Sequence, residues 1–191
     1  MSHKNFGAKA WLQPMPVGII GTYDQNGRPN AMNAAWVGQW DMTQITISVS
    51  KHATTVNLLN NPDFTLALAD RRNMVAADYV GIVSGNKVPD KVAKAGLNVE
   101  RAEFVNAPVF TNFPITLECR LVQKIGEEVP GGGCNLIADI LNVRCDEAYL
   151  DAAGNPDLDK IELICYDSIG NNYRVLGKVV GRAFHDGAAL K

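Results

Sequence analysis

Histidine and cysteine are scarce in this chain, at three and four residues of 191. His3, His52 and His185 stand at none of the spacings a zinc finger needs. Cys119, Cys134, Cys145 and Cys165 form no C-x-x-C pair, so no metal site is expected. Cys119 and Cys165 lie in apolar runs and read as reduced core thiols, because a buried free cysteine behaves as a small hydrophobe. Excess charge of either sign is also lacking. Eighteen basic residues against twenty acidic ones leave a net charge of −2, which gives no electrostatic reason to expect nucleic acid or an acidic membrane surface as partner. No run approaches the roughly 18 apolar residues of a membrane span. The N-terminal MSHKNFGAKAW has no apolar core of the secretory kind, and the expectation is a cytoplasmic protein. GxGxxG is absent, as are repeated strand–helix–strand units, which argues against a Rossmann domain. No Ser/His/Asp set or carboxylate pair of catalytic type stands out.

What is present suits one domain spanning residues 1–191, with 47% hydrophobic residues to fill its core. VGIIGTYD (17–24) is apolar and β-prone. Asn26-Gly27 follows as a strong hairpin signal, with a return strand over 30–35. QITISVS (44–50) alternates Ile45, Ile47 and Val49 with Thr46 and Ser48, the period of a half-buried strand. A short helix is expected from near Ala53, stopped by Asn60-Asn61-Pro62. FTLALA (64–69) is a further strand, and Asn73 is placed to cap a helix running through Val80. The region 81–114, rich in lysine and glycine, reads as a long excursion over the sheet with one helix near 90–95. Two long strands, 115–127 and 134–150, are joined through Gly131-Gly132-Gly133, and shorter strands are expected over 161–166 and 173–176. Six or seven antiparallel strands with short helices predict a mainly β, Greek-key-like barrel, closed or partly closed, because closure removes edge strands.

Three stretches carry candidate chemistry. In NAMNAAWVGQW (30–40), Ala31, Ala34 and Ala35 let a flat ligand approach the main chain, and Trp36 can wall off one side of it. The same small residues also suit tight packing beneath a helix. In SKHATTVN, a helix starting at Ala53 would present unpaired N–H groups. Thr54 and Thr55 add hydroxyls, and Lys51 and His52 add charge or donors, which together suit a phosphate; an ordinary capped surface helix is the alternative. SGNKVPDK (84–91) offers loop lysines that either stay solvated or reach a ligand. Tyr166 and Tyr173 are each either core or a cover over a pocket. Combined, these stretches suit a planar ring with a phosphate tail: FMN, with pyridoxal phosphate as the alternative.

PMPVGIIGTYDQNGRPNAMNAAW resembles the start of the flavoredoxins and related flavin reductase-like proteins. The shared features are a proline-rich lead, the D-x-x-G-R-P-N-A-M hairpin and a small-residue strand ending in tryptophan. ISVSKHATTVNLL and the Asp90-Lys91 pair continue the likeness, which covers roughly residues 8–177. The resemblance implies an FMN-binding split β-barrel, usually a homodimer. It implies ring contacts at Asn30, Asn33, Ala34, Ala35 and Trp36, and phosphate contacts at Lys51, Thr54 and Thr55. Ser84, Gly85 and Lys91 would form a closing loop, and Tyr166 would supply an aromatic. Two positions depart from the pattern. A histidine common in relatives before the second long strand is replaced by Gly133 or Cys134, and a phenylalanine after the Asp-Lys pair is Val92. The activity implied is an FMN-dependent oxidoreductase fed by NAD(P)H or a protein electron donor. The other readings are an FMN-binding electron carrier or sensor with little turnover, and a non-catalytic barrel.

Overall fold

The computed structural model describes residues 1–126 and 133–191. Strand β1 (Met15–Pro16) leads into β2 (Gly18–Tyr23), and the chain returns as β3 (Pro29–Ala34). The hairpin is organised by Asp24 rather than by Asn26-Gly27 alone. The Asp24 carboxylate accepts from the backbone N–H of Asn26 at 2.8 Å and of Arg28 at 2.9 Å, and Gly27 takes φ +73°. That is a longer turn, in which an Asp side chain mimics a backbone turn and glycine supplies the left-handed residue.

Strand β4 (Val37–Gln39) precedes β5 (Gln44–Ser50), whose Ile45, Ile47 and Val49 are buried as their alternation requires. Helix α1 (Ala53–Asn60) and strand β6 (Asp63–Leu68) follow. Helix α2 (Met74–Ile82) begins after Asn73, but the Asn73 amide does not cap it. That amide donates instead to Asp70 Oδ1 and to the Asn112 carbonyl, both at 2.8 Å. The excursion holds more structure than its polarity suggests: α3 (Lys91–Lys94), β7 (Val99–Arg101) and β8 (Pro108–Phe110). Val105, Ala107, Val109, Phe110 and Phe113 are buried there.

The long strands are β9 (Ile115–Ile125) and β10 (Gly133–Cys145); the Gly131-Gly132 part of their connection lies outside the described residues. Ile161 ends helix α4 (Leu158–Ile161) instead of starting a strand. Asp157 caps that helix through the N–H groups of Asp159 and Lys160, and Glu162 ends it in a left-handed conformation. Strand β11 (Ile164–Asp167) therefore starts later, and it pairs with β12 (Asn172–Val175) and β1.

Seven strands form one antiparallel sheet in the order β3-β2-β6-β9-β10-β5-β4. Its two edge strands, β3 and β4, are neighbours in sequence, joined only by Ala35 and Trp36. So short a link requires the sheet to curl until its edges adjoin, which makes a split barrel. Ile20, Ile47, Phe64, Leu66 and Leu136 fill the interior. Ile19, Ala31 and Ala67 point outward and are covered by Ala77 and Val80 of α2 and by Ile164 of β11. Sheet residues are therefore buried on both faces, and each large apolar side chain so enclosed contributes about 1.5–3 kcal/mol.

Candidate functional site

The split between the two edges is the setting of the site. Two cavities of about 380 and 230 Å³ share Met32, Asn33, His52, Gly81 and Ile82, so they make one cleft. Asn33, Ala34, Ala35, Trp36 and Tyr166 line its larger end. Asn30, Asn33, Thr54, Ser84, Gly85 and Lys91 line the smaller end. Lys51 lines neither, and neither does Thr55. The Thr55 hydroxyl is already committed: it donates to the Ser50 carbonyl at 2.6 Å and accepts from the His52 N–H at 3.4 Å, bracing the start of α1.

Both sequence readings of the small-residue strand are realised, at different positions. Ala31 is fully buried beneath α2, whereas Ala34 and Ala35 open onto the cleft. The outer edge of β3 has no strand partner among the described residues, so main-chain donors and acceptors are available along the cleft floor. Trp36 stands half-exposed beside it. Helix α2 lies against this floor because residue 81 is glycine; a Cβ there would come within 2.9 Å of Asn33 Cβ. Gly85 is equally tight, since a Cβ would collide with Asn30 Oδ1.

Side chains at the larger end are tied together. The Tyr173 hydroxyl donates to Asp78 Oδ1 at 2.8 Å. The Asn33 amide donates to the Ala77 carbonyl at 3.0 Å and to the Tyr173 oxygen at 3.4 Å. Burial, then Asp78, push the Tyr173 phenol up to about 12, so it stays a donor. Tyr166 packs beside Tyr173 with ring centroids 6.3 Å apart, and its hydroxyl donates to Asn171 Oδ1.

The smaller end is built by α1 and the segment after α2. The Asn30 amide donates to Thr54 Oγ1 at 2.8 Å in a buried pair. His52 and Thr55 form a capping box at the start of α1, and the Ala53 and Thr54 N–H groups ahead of it have no side-chain partner among the described residues, so they are available to meet an anion. Lys91 is almost fully buried, and its ammonium donates to the carbonyls of Val80 at 2.9 Å and Val83 at 2.8 Å. Burial pushes it down to about 8. An ammonium has three donors, so Lys91 both caps the end of α2 and keeps one donor uncommitted to these carbonyls.

The sequence did not single out Asp78, Gly81 or Ile82, nor Ser48 and Ser50 on β5. His52, which the sequence groups with Lys51, lines both cavities. Asp78, Gly81 and Ile82 stand at i, i+3 and i+4 on α2 and so share a face. That spacing was readable, but the sheet edge the face would meet was not. Among the described residues, no group of three or more His, Cys, Asp or Glu side chains could hold a metal ion, and no helix is long and apolar enough to cross a membrane.

Residues 12–158 match the model of the flavin reductase like domain family. The flavoredoxin of Desulfovibrio vulgaris (Miyazaki F) superposes with a TM-score of 0.91 at 32% identity, covering 97% of this chain and 100% of that one. A flavoredoxin from Methanosarcina acetivorans gives 0.89 at 25% identity, with 100% of both chains covered. Among curated proteins, an uncharacterized protein of Aeropyrum pernix is 28% identical over 110 residues. That match takes in 56% of this chain but spans only 42% of the length of that relative.

Proposed function

This chain belongs to the flavin reductase like domain family, and from that premise we propose that it is an FMN-dependent oxidoreductase, passing electrons from NAD(P)H or a redox partner through bound FMN to an acceptor. The observation that carries the reading is the continuity of the cleft, from a small-residue slot on an unpaired strand edge to a helix N-terminus. The fit is steric as well as chemical, because Gly81 and Gly85 stand where any Cβ would crowd Asn33 or Asn30.

The residues divide the work. Ala34 and Ala35 bring the β3 edge within hydrogen-bond reach of a planar ring, and Trp36 and Tyr166 flank it. The first N–H groups of α1, with Ser84, Gly85 and Lys91, receive the phosphate, and Asn30 and Thr54 hold each other as the wall between. Lys51 and Thr55 act on this end indirectly, one as a nearby surface charge and the other by bracing the helix start. When bound, FMN supplies the hydride and electron chemistry, and the protein orients it and sets its surroundings.

The reaction is placed in the cytoplasm, a reducing compartment that suits four free thiols. A homodimer accompanies it. Trp36, Trp40 and Met42 are all exposed around β4, an apolar patch of the kind a second copy covers. Light scattering that reads a monomer at micromolar concentration removes this part of the proposal.

One observation favours a second reading, an FMN-binding electron carrier or sensor with little turnover. Gly133 pairs with Ser50, which lines the cleft, and Cys134 is buried in the barrel. The position where relatives are expected to carry histidine thus adds no polar group. Purified protein that is yellow and bleaches with NADH or NADPH supports the oxidoreductase. Yellow protein that bleaches only with dithionite supports the carrier. Colourless protein that takes up no added FMN rejects both.

A further inference from the structure

The larger end of the cleft contains a carboxylate that the binding of a neutral ring does not need. Asp78 lines that cavity from α2, on the face it shares with Gly81 and Ile82. It is oriented, because the Tyr173 hydroxyl holds its Oδ1 at 2.8 Å and the Asn33 amide in turn donates to the Tyr173 oxygen. Asn33 is itself anchored to the Ala77 carbonyl, one residue before Asp78 along the helix. Strand β3, helix α2 and strand β12 therefore each contribute one member of a chain that ends on a carboxylate at the cleft. Among the described residues no basic side chain makes a salt bridge with Asp78, so its negative charge is not locally neutralised.

We propose that Asp78, positioned by Tyr173 and Asn33, sets the reduction potential of the bound flavin by disfavouring its reduced form. The inference rests on the FMN reading above and adds a role for Asp78 and Tyr173, which that reading does not use. The charge balance is simple. Two electrons and one proton added to a neutral flavin ring leave it one unit more negative, and a fixed carboxylate beside it opposes that change. Oxidised FMN adds no charge at the ring, so Asp78 barely affects its affinity. Asp78 is only partly exposed, so solvent and salt screen it less than a fully exposed surface carboxylate. A protein of this kind makes a stronger reductant, suited to acceptors of low potential.

The test uses the purified holoprotein and two readouts, the dissociation constant of oxidised FMN by fluorescence and the reduction midpoint at pH 7 by dye equilibration. Asp78→Asn is isosteric, and its side-chain oxygen still accepts the Tyr173 hydroxyl. It is expected to bind oxidised FMN within about threefold of wild type. It should shift the redox equilibrium about tenfold toward reduced FMN, a midpoint rise of about 30 mV for a two-electron couple. Tyr173→Phe keeps the carboxylate and loses only its tether, so the midpoint should rise by less than in Asp78→Asn. Asp159→Asn, a change of the same charge outside the cleft, should leave it in place. A midpoint unmoved by Asp78→Asn with FMN still bound overturns the inference and leaves the FMN reading standing. An equal rise in Asp159→Asn or in Tyr173→Phe also overturns it, by assigning the effect to net charge or to a disturbed pocket. A wild-type chain that binds no FMN overturns both readings at once.

Discussion

At the β3 end of the cleft, the polar side chains are arranged in series: Asn33 donates to Tyr173, and Tyr173 donates to Asp78. At the α1 end they converge. The Ala53 and Thr54 N–H groups, the loop after α2 and the Lys91 ammonium all border one small space. One end thus concludes in an acceptor with negative charge, and the other in donors with positive charge. The difference teaches that what a residue offers a ligand depends on what the fold has already paired it with. Lys51 and Lys91 are the same residue type. Lys51 is exposed and lines no part of the cleft, whereas Lys91 is buried, holds two carbonyls and lines the smaller cavity.

The comparison breaks most severely if the two ends are driven apart. Gly81 belongs to both cavities, and a Cβ there meets Asn33. Gly81→Val is expected to lift α2 from β3, weakening FMN and riboflavin alike by about a hundredfold and costing about 1–3 kcal/mol of stability, as overpacking does. Fluorescence titration and a urea melt measure the two effects. A variant that loses FMN but keeps riboflavin would show that only the phosphate end had moved.

A pH series separates the ends with less force. Lys91 titrates near 8 because burial disfavours its charge. A phosphate in the smaller cavity would favour that charge, so FMN binding takes up a proton and weakens as pH rises through 8. The ratio of FMN to riboflavin affinity is expected to fall about fivefold between pH 7 and 9.5, and to become flat in Lys91→Met. The unliganded protein shows the opposite sign. Its Lys91 is depressed below the ordinary lysine value of 10.5, so the unfolded chain binds more protons in that window. This group therefore makes stability rise between pH 8 and 10.5. Denaturant midpoints that fall across that window in the wild type but not in Lys91→Met would contradict the assignment.

The smallest effect is expected at Lys51. An exposed lysine outside both cavities acts only through solvent, so Lys51→Ala should change FMN affinity by about twofold at most, and less as salt is added. A tenfold loss would place its side chain on the phosphate and redraw the smaller end.

Much of the fold was legible because it is written in local terms. The alternation of Ile45, Ile47 and Val49 marked β5, the residues around Asn26-Gly27 marked the hairpin, and Asn60-Asn61-Pro62 marked the end of α1. The excursion was less legible. Its strands β7 and β8 are only three residues long, too short to show a period of their own, so composition spoke only of polarity. At the site, residues adjacent in sequence were easiest to find. Ala34, Ala35 and Trp36 announced themselves as a small-residue run ending in an indole, and all three line the cleft. Asp78 and Tyr173 stand 95 positions apart and have no local signature.

By itself, the sequence determined the strand and turn pattern, the small-residue edge and the helix start beside it, because each depends on neighbours within a few residues. Only the tertiary structure decided that the sheet would curl until the β3 and β4 edges lay on either side of a split, that Gly81 would let α2 settle on Asn33, and which lysine would be buried. Those outcomes depend on contacts between distant segments, where packing and desolvation, not residue type, determine which polar groups remain free for a ligand.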